Sequence, residues 1–122
     1  MLTQILTSSI LIQYYRILNH GTQESNTDVT TIPSDQWHDI FNTNIHSFFY
    51  IIKAAIPCMQ SGSTVVFDAS INASIGHPKL VDYTATKGAI VGFARALHNQ
   101  VVGEKGIRVN VVAPGPIWTP LM

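Results

Sequence analysis

Tyr83 and Lys87 stand four residues apart in Tyr83-Thr84-Ala85-Thr86-Lys87, a spacing that on a helix places both on one face, one turn from each other. A phenol with its ordinary pKa of about 10 is a poor base at neutral pH, but a fixed ammonium beside it favours the phenolate. Bringing it to about 7 takes roughly three units, or about 4 kcal/mol of differential stabilisation. That pairing makes a proton-transfer catalyst of two ordinary side chains. Alone, the pair recurs by chance, and its bland reading is a partly exposed helix with one aromatic and one solvated charge. The residues at fixed distances around it decide between the two.

Ser70 lies thirteen residues before Tyr83, after a β-branched run, where an isolated serine more often simply ends a strand. Asn44 falls inside an apolar helical stripe, where an amide needs partners and could be satisfied by local backbone. Asp68 and Asp82 flank the same region, each able to cap or to solvate. The five histidines (His20, His38, His46, His77 and His98) show no metal-ligand spacing with one another or with Cys58, so no metal site is expected. His77 reaches a substrate only if its loop folds inward, and a solvated loop histidine is the simpler reading.

The elements that must position these residues follow from periodicity. Residues 22–33 are polar and aperiodic, a surface loop. Ser34-Asp35 begins a helix, with a hydroxyl cap and an acid at the positive end of the dipole. Apolar residues from Trp37 through Ile40, Phe41, Ile45, Phe48, Phe49, Ile52, Ala55, Ile56 and Met59 then follow steps of three and four, about seven turns if unbroken. Pro57 should bend or end this helix, and Ser61-Gly62 closes it.

Thr64-Val65-Val66-Phe67 lacks polar alternation, which predicts a strand buried on both faces. Residues 71–82 read as a loop beyond the strand's carboxyl end. A second helix is predicted over 81–102, with Ala85, Gly88, Ala89, Gly92 and Ala96 forming a small-residue face for close packing and Gly103 to Gly106 ending it. A last strand runs over 107–113 and breaks at Pro114-Gly115-Pro116. Helix, strand, helix, strand with short connections is the order of an α/β parallel sheet with right-handed crossovers. In such sheets ligands sit outside the carboxyl ends of the strands, where Ser70, Pro114-Gly115 and the start of the Tyr83 helix would converge.

Composition bounds the rest. The 122 residues leave room for a single domain of modest core. Apolar residues make up 46% and charged residues 11%, which favours a sheet covered by helices. Seven Lys and Arg balance seven Asp and Glu with no basic run, which argues against nucleic-acid binding. The single cysteine, Cys58, excludes an internal disulfide framework, is compatible with a reducing, cytoplasmic setting and is expected to fill core space. Residues 1–20 are apolar but interrupted by polar residues, with no preceding Lys or Arg and no run long enough to span a membrane.

Together, Thr43-Asn44, Ser70, Tyr83-x-x-x-Lys87 followed by Gly88-Ala89, and Arg108-Val109-Asn110 leading to Ala113-Pro114-Gly115-Pro116-Ile117-Trp118-Thr119-Pro120 resemble the short-chain dehydrogenase/reductase family in its shorter form, over residues 21–122. The resemblance implies a Rossmann-like fold and an oxidoreductase transferring hydride between NAD(P) and the CH-OH or carbonyl group of a small molecule. It implies Tyr83 as the acid/base, with Lys87 lowering its pKa and bonding the nicotinamide ribose. Ser70 would bond the substrate oxygen, and Asn44 would hold a water linking Lys87 to solvent. Pro114, Gly115, Ile117 and Thr119 would close over the nicotinamide carboxamide, while Trp118 would line the substrate entrance or simply pack.

The words around Tyr83 and Trp118 further resemble an NADP-preferring subgroup of general-stress and sugar-alcohol dehydrogenases, which slightly favours NADP. The resemblance also implies a homo-oligomer in the intact enzyme. The family's opening strand and Thr-Gly-x-x-x-Gly-x-Gly turn have no counterpart in residues 1–20, and Leu18-Asn19-His20-Gly21 replaces its Asn-Asn-Ala-Gly. Residues 13–16 do not read as a buried strand, and the first twenty residues look foreign to the pattern. The expectation is therefore one partial dinucleotide-binding-type domain, a truncated carboxyl-side catalytic half whose sheet has an unpaired edge. Two other readings compete: an inactive chain that pairs through its helices with a full-length relative, and a nucleotide-sugar epimerase or dehydratase. The Pro-Gly-Pro-Ile-x-Thr loop disfavours the epimerase, and the Tyr-Lys spacing disfavours an enoyl reductase.

Overall fold

The computed structural model describes residues 15–118. Three parallel strands, β1 (Tyr15–Leu18), β2 (Thr64–Asp68) and β3 (Arg108–Val112), lie in the order β1-β2-β3. Register pairs Ile17 with Val66 and Val66 with Asn110, so β2 is the central strand. This revises the reading of residues 1–20: the segment set aside as foreign contains a strand from Tyr15. Its four residues are too short and too exposed to show a buried-strand pattern, and its pairing partner lies far along the chain.

The β1-to-β2 crossover is a bent helical rod. Helix α1 (Ser34–Phe41) passes into a π-helical segment at Asn42–His46, then α2 (Ser47–Ala55) and a 3-10 turn at Ile56–Cys58 that holds Pro57. Pro33 precedes α1 and makes no side-chain cap, so Ser34 is the first helical residue rather than the predicted hydroxyl cap. The widened segment is held by Ser47 Oγ donating to the Thr43 carbonyl at 2.6 Å. Ile40, Asn44, Phe48, Ile52 and Ala55 form the buried face. Trp37, Phe49, Tyr50 and Ile51 point outward, so the apolar stripe is only half used within the described residues. Cys58, expected in the core, is exposed on the 3-10 turn.

After β2 a short helix, α3 (Asn72–Ile75), interrupts the predicted loop, and α4 (Val81–Lys105) returns the chain to β3. Helix α4 runs through Gly103 and ends at Gly106, whose φ of +62° is the left-handed cap conformation. Its buried residues Tyr83, Lys87, Ile90, Ala94, Leu97 and Val101 recur in steps of four and three, one continuous face. The small-residue face expected to pack closely does not do so among the described residues, where a Cβ at Gly88 or Gly92 would meet nothing within 4 Å.

Both crossovers share one core. Leu18, Val65, Phe67 and Val109 from the sheet meet Phe48 and Ile52 from α2 and Ile90 and Ala94 from α4. The Phe67 ring centroid lies 5.7 Å from that of Phe48 and 5.5 Å from that of Phe93. The strands alternate accordingly, since Tyr15, Ile17, Arg108, Asn110 and Val112 face away from these helices and are exposed. The expectation that β2 is buried on both faces therefore fails within the described residues: Val65 and Phe67 are buried, while Thr64, Val66 and Asp68 are half-buried. Among the described residues no helix is long and apolar enough to cross a membrane.

Candidate active site

The core stripe of α4 continues to its N-terminal end, but there the residues facing the sheet are Tyr83 and Lys87. Both are buried at the carboxyl end of β2. The Lys87 ammonium lies 5.5 Å from the Tyr83 ring centroid, so the one-turn spacing read from the sequence does bring the two together. The same ammonium donates to the Asp68 carbonyl at 2.9 Å and lies 3.9 Å from the Asp68 carboxylate. Asp68 thus ties the end of β2 to α4, a contact that a sequence separation of nineteen conceals.

Ser70 follows two residues later. Its Oγ accepts from the Asn72 amide at 3.1 Å, and it shares the cleft wall with Tyr83, where its side chain pulls the phenol pKa down. Burial pushes the other way and is the largest effect, and the Asp68 charge adds to it, so the Tyr83 phenol stands above its ordinary value of 10.0. This is opposite to the lowering expected from Lys87. The physical reason is burial of the phenol itself, with an ammonium that lies 3.9 Å from the Asp68 carboxylate too little to offset it; burial also pushes Lys87 below its ordinary value of 10.5.

Asn44 sits in the π-helical segment, fully buried and fully partnered. Its Oδ1 accepts from the Thr22 amide at 2.7 Å, and its Nδ2 donates to the Thr22 carbonyl at 2.8 Å and to Thr86 Oγ1 at 3.1 Å. Thr86 in turn donates to the Tyr83 carbonyl at 2.7 Å. Its place in the motif, three residues after Tyr83 and so on the same face, is the signal that sequence reasoning passed over. A Cβ on Gly21 would lie 3.4 Å from Asn44 Oδ1 and 3.6 Å from Lys87 Nζ, so Asn44, Gly21 and Lys87 border one small space. A π-helical turn at such a point re-aims a side chain that regular helix would direct elsewhere.

The loops after β2 and β3 are laced together. The Ala69 amide donates to the Val112 carbonyl at 2.8 Å and the Ile71 amide to the Pro114 carbonyl at 2.9 Å. They border a cleft of about 740 Å³ lined by Asp68, Ser70, Tyr83, Lys87, Pro114, Gly115 and Ile117, with Gly21, Gln23 and His77 on other walls. His77 is exposed yet reaches this wall, its Nδ1 accepting from the Lys79 amide at 3.2 Å. Asn44 lies behind the wall rather than in it. Trp118 is 94% exposed and packs on nothing described, and Thr119 lies outside the described residues. Among the described residues no group of three His, Cys, Asp or Glu side chains could hold a metal ion.

The start of α4 is fixed from its other side by Asp82, which is fully buried. Its Oδ1 accepts from the Tyr83 amide at 2.7 Å and its Oδ2 from Gln36 Nε2 on α1 at 2.7 Å. Asn26 donates to Gln36 Oε1 at 3.0 Å, which brings the 22–33 loop into the same support. A carboxylate in the first turn also suits the positive end of the α4 dipole.

A parallel sheet with a buried tyrosine, lysine and serine at the carboxyl end of its middle strand defines a Rossmann-like α/β chain. Comparison with known proteins narrows the class. A family model described as enoyl-(acyl carrier protein) reductase matches residues 15–122, which include β1. An uncharacterised oxidoreductase of Schizosaccharomyces pombe is 53% identical over 104 residues, 85% of this chain and 36% of that protein. The NADPH-dependent aldehyde reductase 1, chloroplastic, of Arabidopsis thaliana is 47% identical over 106 residues, 87% of this chain and 36% of that protein. Among solved structures, a glucose/ribitol dehydrogenase of Brucella melitensis superposes with a TM-score of 0.81 at 33% identity, covering 88% of this chain and 42% of that one. The chain belongs to the short-chain dehydrogenase/reductase family. It spans little more than a third of the length of these curated relatives, 36% in each case.

Proposed function

We propose that this chain carries the acid/base half of an NAD(P)-dependent oxidoreductase that interconverts an alcohol and a carbonyl on a small molecule. The observation that supports the reading most is the meeting of Ser70, Tyr83 and Lys87 in one cleft at the carboxyl end of β2. When bound, the nicotinamide supplies or accepts the hydride. Tyr83 gives its proton to the carbonyl oxygen in reduction and takes one from the hydroxyl in oxidation. Ser70 donates to the same oxygen and stabilises the charge that develops there. The raised phenol keeps Tyr83 protonated at neutral pH, the form that reduction requires.

The cleft residues fit the nicotinamide-ribose end of such a cofactor. Among the described residues the buried Lys87 ammonium meets only Asp68 as a hydrogen-bond or ion-pair partner, and the absent side chain of Gly21 leaves room beside it. Lys87 would hold the ribose hydroxyls, with Tyr83 beside it, while the backbone of Pro114 and Gly115 and the side chain of Ile117 would border the ring; Thr119 joins them by family resemblance. Asn44 holds the Thr22 backbone beside Lys87 and borders the route by which a water would re-protonate the ammonium. NADP is favoured over NAD on the printed name of the Arabidopsis relative. The Tyr-Lys spacing of four supports carbonyl chemistry over enoyl reduction.

The outward apolar residues of α1 and α2 suit a second copy of the chain, so we read the intact enzyme as a homo-oligomer. A free, exposed Cys58 fits a reducing compartment such as the cytosol. The test is cofactor binding by the chain itself. NADPH should raise the melting temperature and gain nicotinamide fluorescence, and Tyr83→Phe should keep that response but abolish carbonyl reduction. A chain that responds to neither NADPH nor NADH would refute the proposal.

A further inference from the structure

The cleft contains a carboxylate that hydride transfer does not call for. Asp68 ends β2 with its side chain 23% exposed, and two of its oxygens face one ammonium. The carbonyl accepts from Lys87 Nζ at 2.9 Å, and Oδ2 lies 3.9 Å from it. The Tyr83 ring centroid is 5.5 Å from the same nitrogen. The ammonium therefore has both an acid and a phenol ring as neighbours. A positive charge shared in this way acts on the phenol at reduced strength, and the carboxylate itself repels a phenolate.

Among the described residues no other charge lining the cleft competes for that role. The ionisable groups on its walls are Asp68 from β2, His77 from the loop after α3, and Tyr83 and Lys87 from α4; the loop after β3 and the Gly21 wall bring none. Asp82, next to Tyr83 in sequence, directs its oxygens to the Tyr83 amide and to Gln36. His77 is exposed, and its Nδ1 is taken by the Lys79 amide.

We propose that Asp68 is a positioning residue of this site: it anchors the Lys87 ammonium to the end of β2 and, through its own charge, keeps the Tyr83 hydroxyl in the proton-donating form. The proposal rests on Tyr83 being the acid/base. It deepens that reading by giving the site a kinetic bias. Carbonyl reduction, which starts from the phenol, is ready at neutral pH, whereas alcohol oxidation, which starts from the phenolate, needs alkaline conditions. The upward push of Asp68 on the Tyr83 titration runs in the same direction.

The test reads the phenol directly and requires neither cofactor nor turnover. Phenolate absorbance is followed against pH, and each protein is referred to its own Tyr83→Phe counterpart so that the remaining tyrosines cancel. Circular dichroism confirms the fold at every point used. Asp68→Asn keeps the size and the backbone anchor but removes the charge, and should move the Tyr83 ionisation down by about half a pH unit or more. Asp68→Glu should restore it, and His77→Gln should leave it in place. Asp68→Ser is the second neutral variant if the asparagine protein does not fold. An ionisation that stays put or rises in the neutral variants overturns the proposal. An unmoved ionisation in a chain that still binds NADPH removes Asp68 alone, while a shifted ionisation in a chain that binds neither cofactor removes the oxidoreductase reading and leaves the anchor.

Discussion

Lys87 is a charge placed where its own helix calls for an apolar residue. It shares a stripe with Ile90, Ala94 and Leu97, and burial pushes its ammonium below the ordinary lysine value, while Asp68 pulls it partly back. The folded chain thus holds this proton less tightly than the unfolded chain. Below the lowered folded value both forms are protonated and the group weighs against folding; stability from it recovers as pH rises from that value towards 10.5. Lys87→Met, of similar length, should therefore raise the melting temperature at neutral pH, with the gain shrinking as the pH approaches the lysine range. Tyr83 has the opposite sign, since its raised phenol stays protonated in the folded chain above 10.0 while the unfolded chain loses the proton, and alkaline pH costs stability. That loss sets in only on the alkaline side, so the comparison at neutral pH isolates Lys87. The same variant should abolish carbonyl reduction, a trade of function against stability. Thermal melts across a pH series decide the matter: a variant less stable at neutral pH would mean that the Asp68 pairing outweighs the burial.

At the scale of elements, α4 sets the geometry of the site because its end and its register are both fixed. Gly106 closes it at φ +62°, and its amide reaches the Val102 carbonyl while Ile107 turns the chain into β3. A Cβ there would collide with Ser61 Oγ. Gly106→Ala should cost about 2 kcal/mol, of which about 1 is the left-handed backbone. Gly62→Ala is the control, since Gly62 also has a positive φ but a Cβ would meet nothing, and should cost only the backbone share. Denaturant unfolding of both, with Ser61→Gly added to the first, separates strain from collision; equal losses would remove the collision. The four-residue spacing of Tyr83 and Lys87 made their shared face of α4 legible, and β-branched runs mark β2 and β3, whereas the small residues of α4 pointed to a packing face that the described residues do not use. Strand β1 was illegible because four edge residues take their meaning from Thr64 to Phe67, some fifty residues on. The π-helical turn under Asn44 was hidden for a related reason, since steps of three and four fit a regular helix equally well and only the Thr22 backbone selects the wider turn. Asp68 and Thr86 stood in plain view, but their roles require strand and helix to be set side by side.

At the scale of the molecule, the described residues form a sheet covered by helices on one face only. On the other face Tyr15 is 69% and Ile17 74% exposed on β1, Val112 is exposed on β3 at the opposite edge, and the edges of β1 and β3 carry no further strand among the described residues. A second apolar surface runs along Trp37, Phe49 and Tyr50 on α1 and α2. Composition does not reveal this imbalance, since 46% apolar residues favour a covered sheet and one face is uncovered among the described residues. Exposed apolar faces and open edges both favour association. The chain should therefore sediment as a concentration-dependent mixture across the micromolar range and bind a hydrophobic dye while folded. Ile17→Lys tests the sheet face and Phe49→Glu the helix face, each by its effect on both readouts. If the sheet face dominates, the lysine variant loses dye and association together and the glutamate variant changes little; the reverse assigns association to the helices, the surface on which a homo-oligomer would be built. A monodisperse monomer that unfolds in one cooperative step and binds no dye would show that residues 15–118 are not left with these faces uncovered in solution.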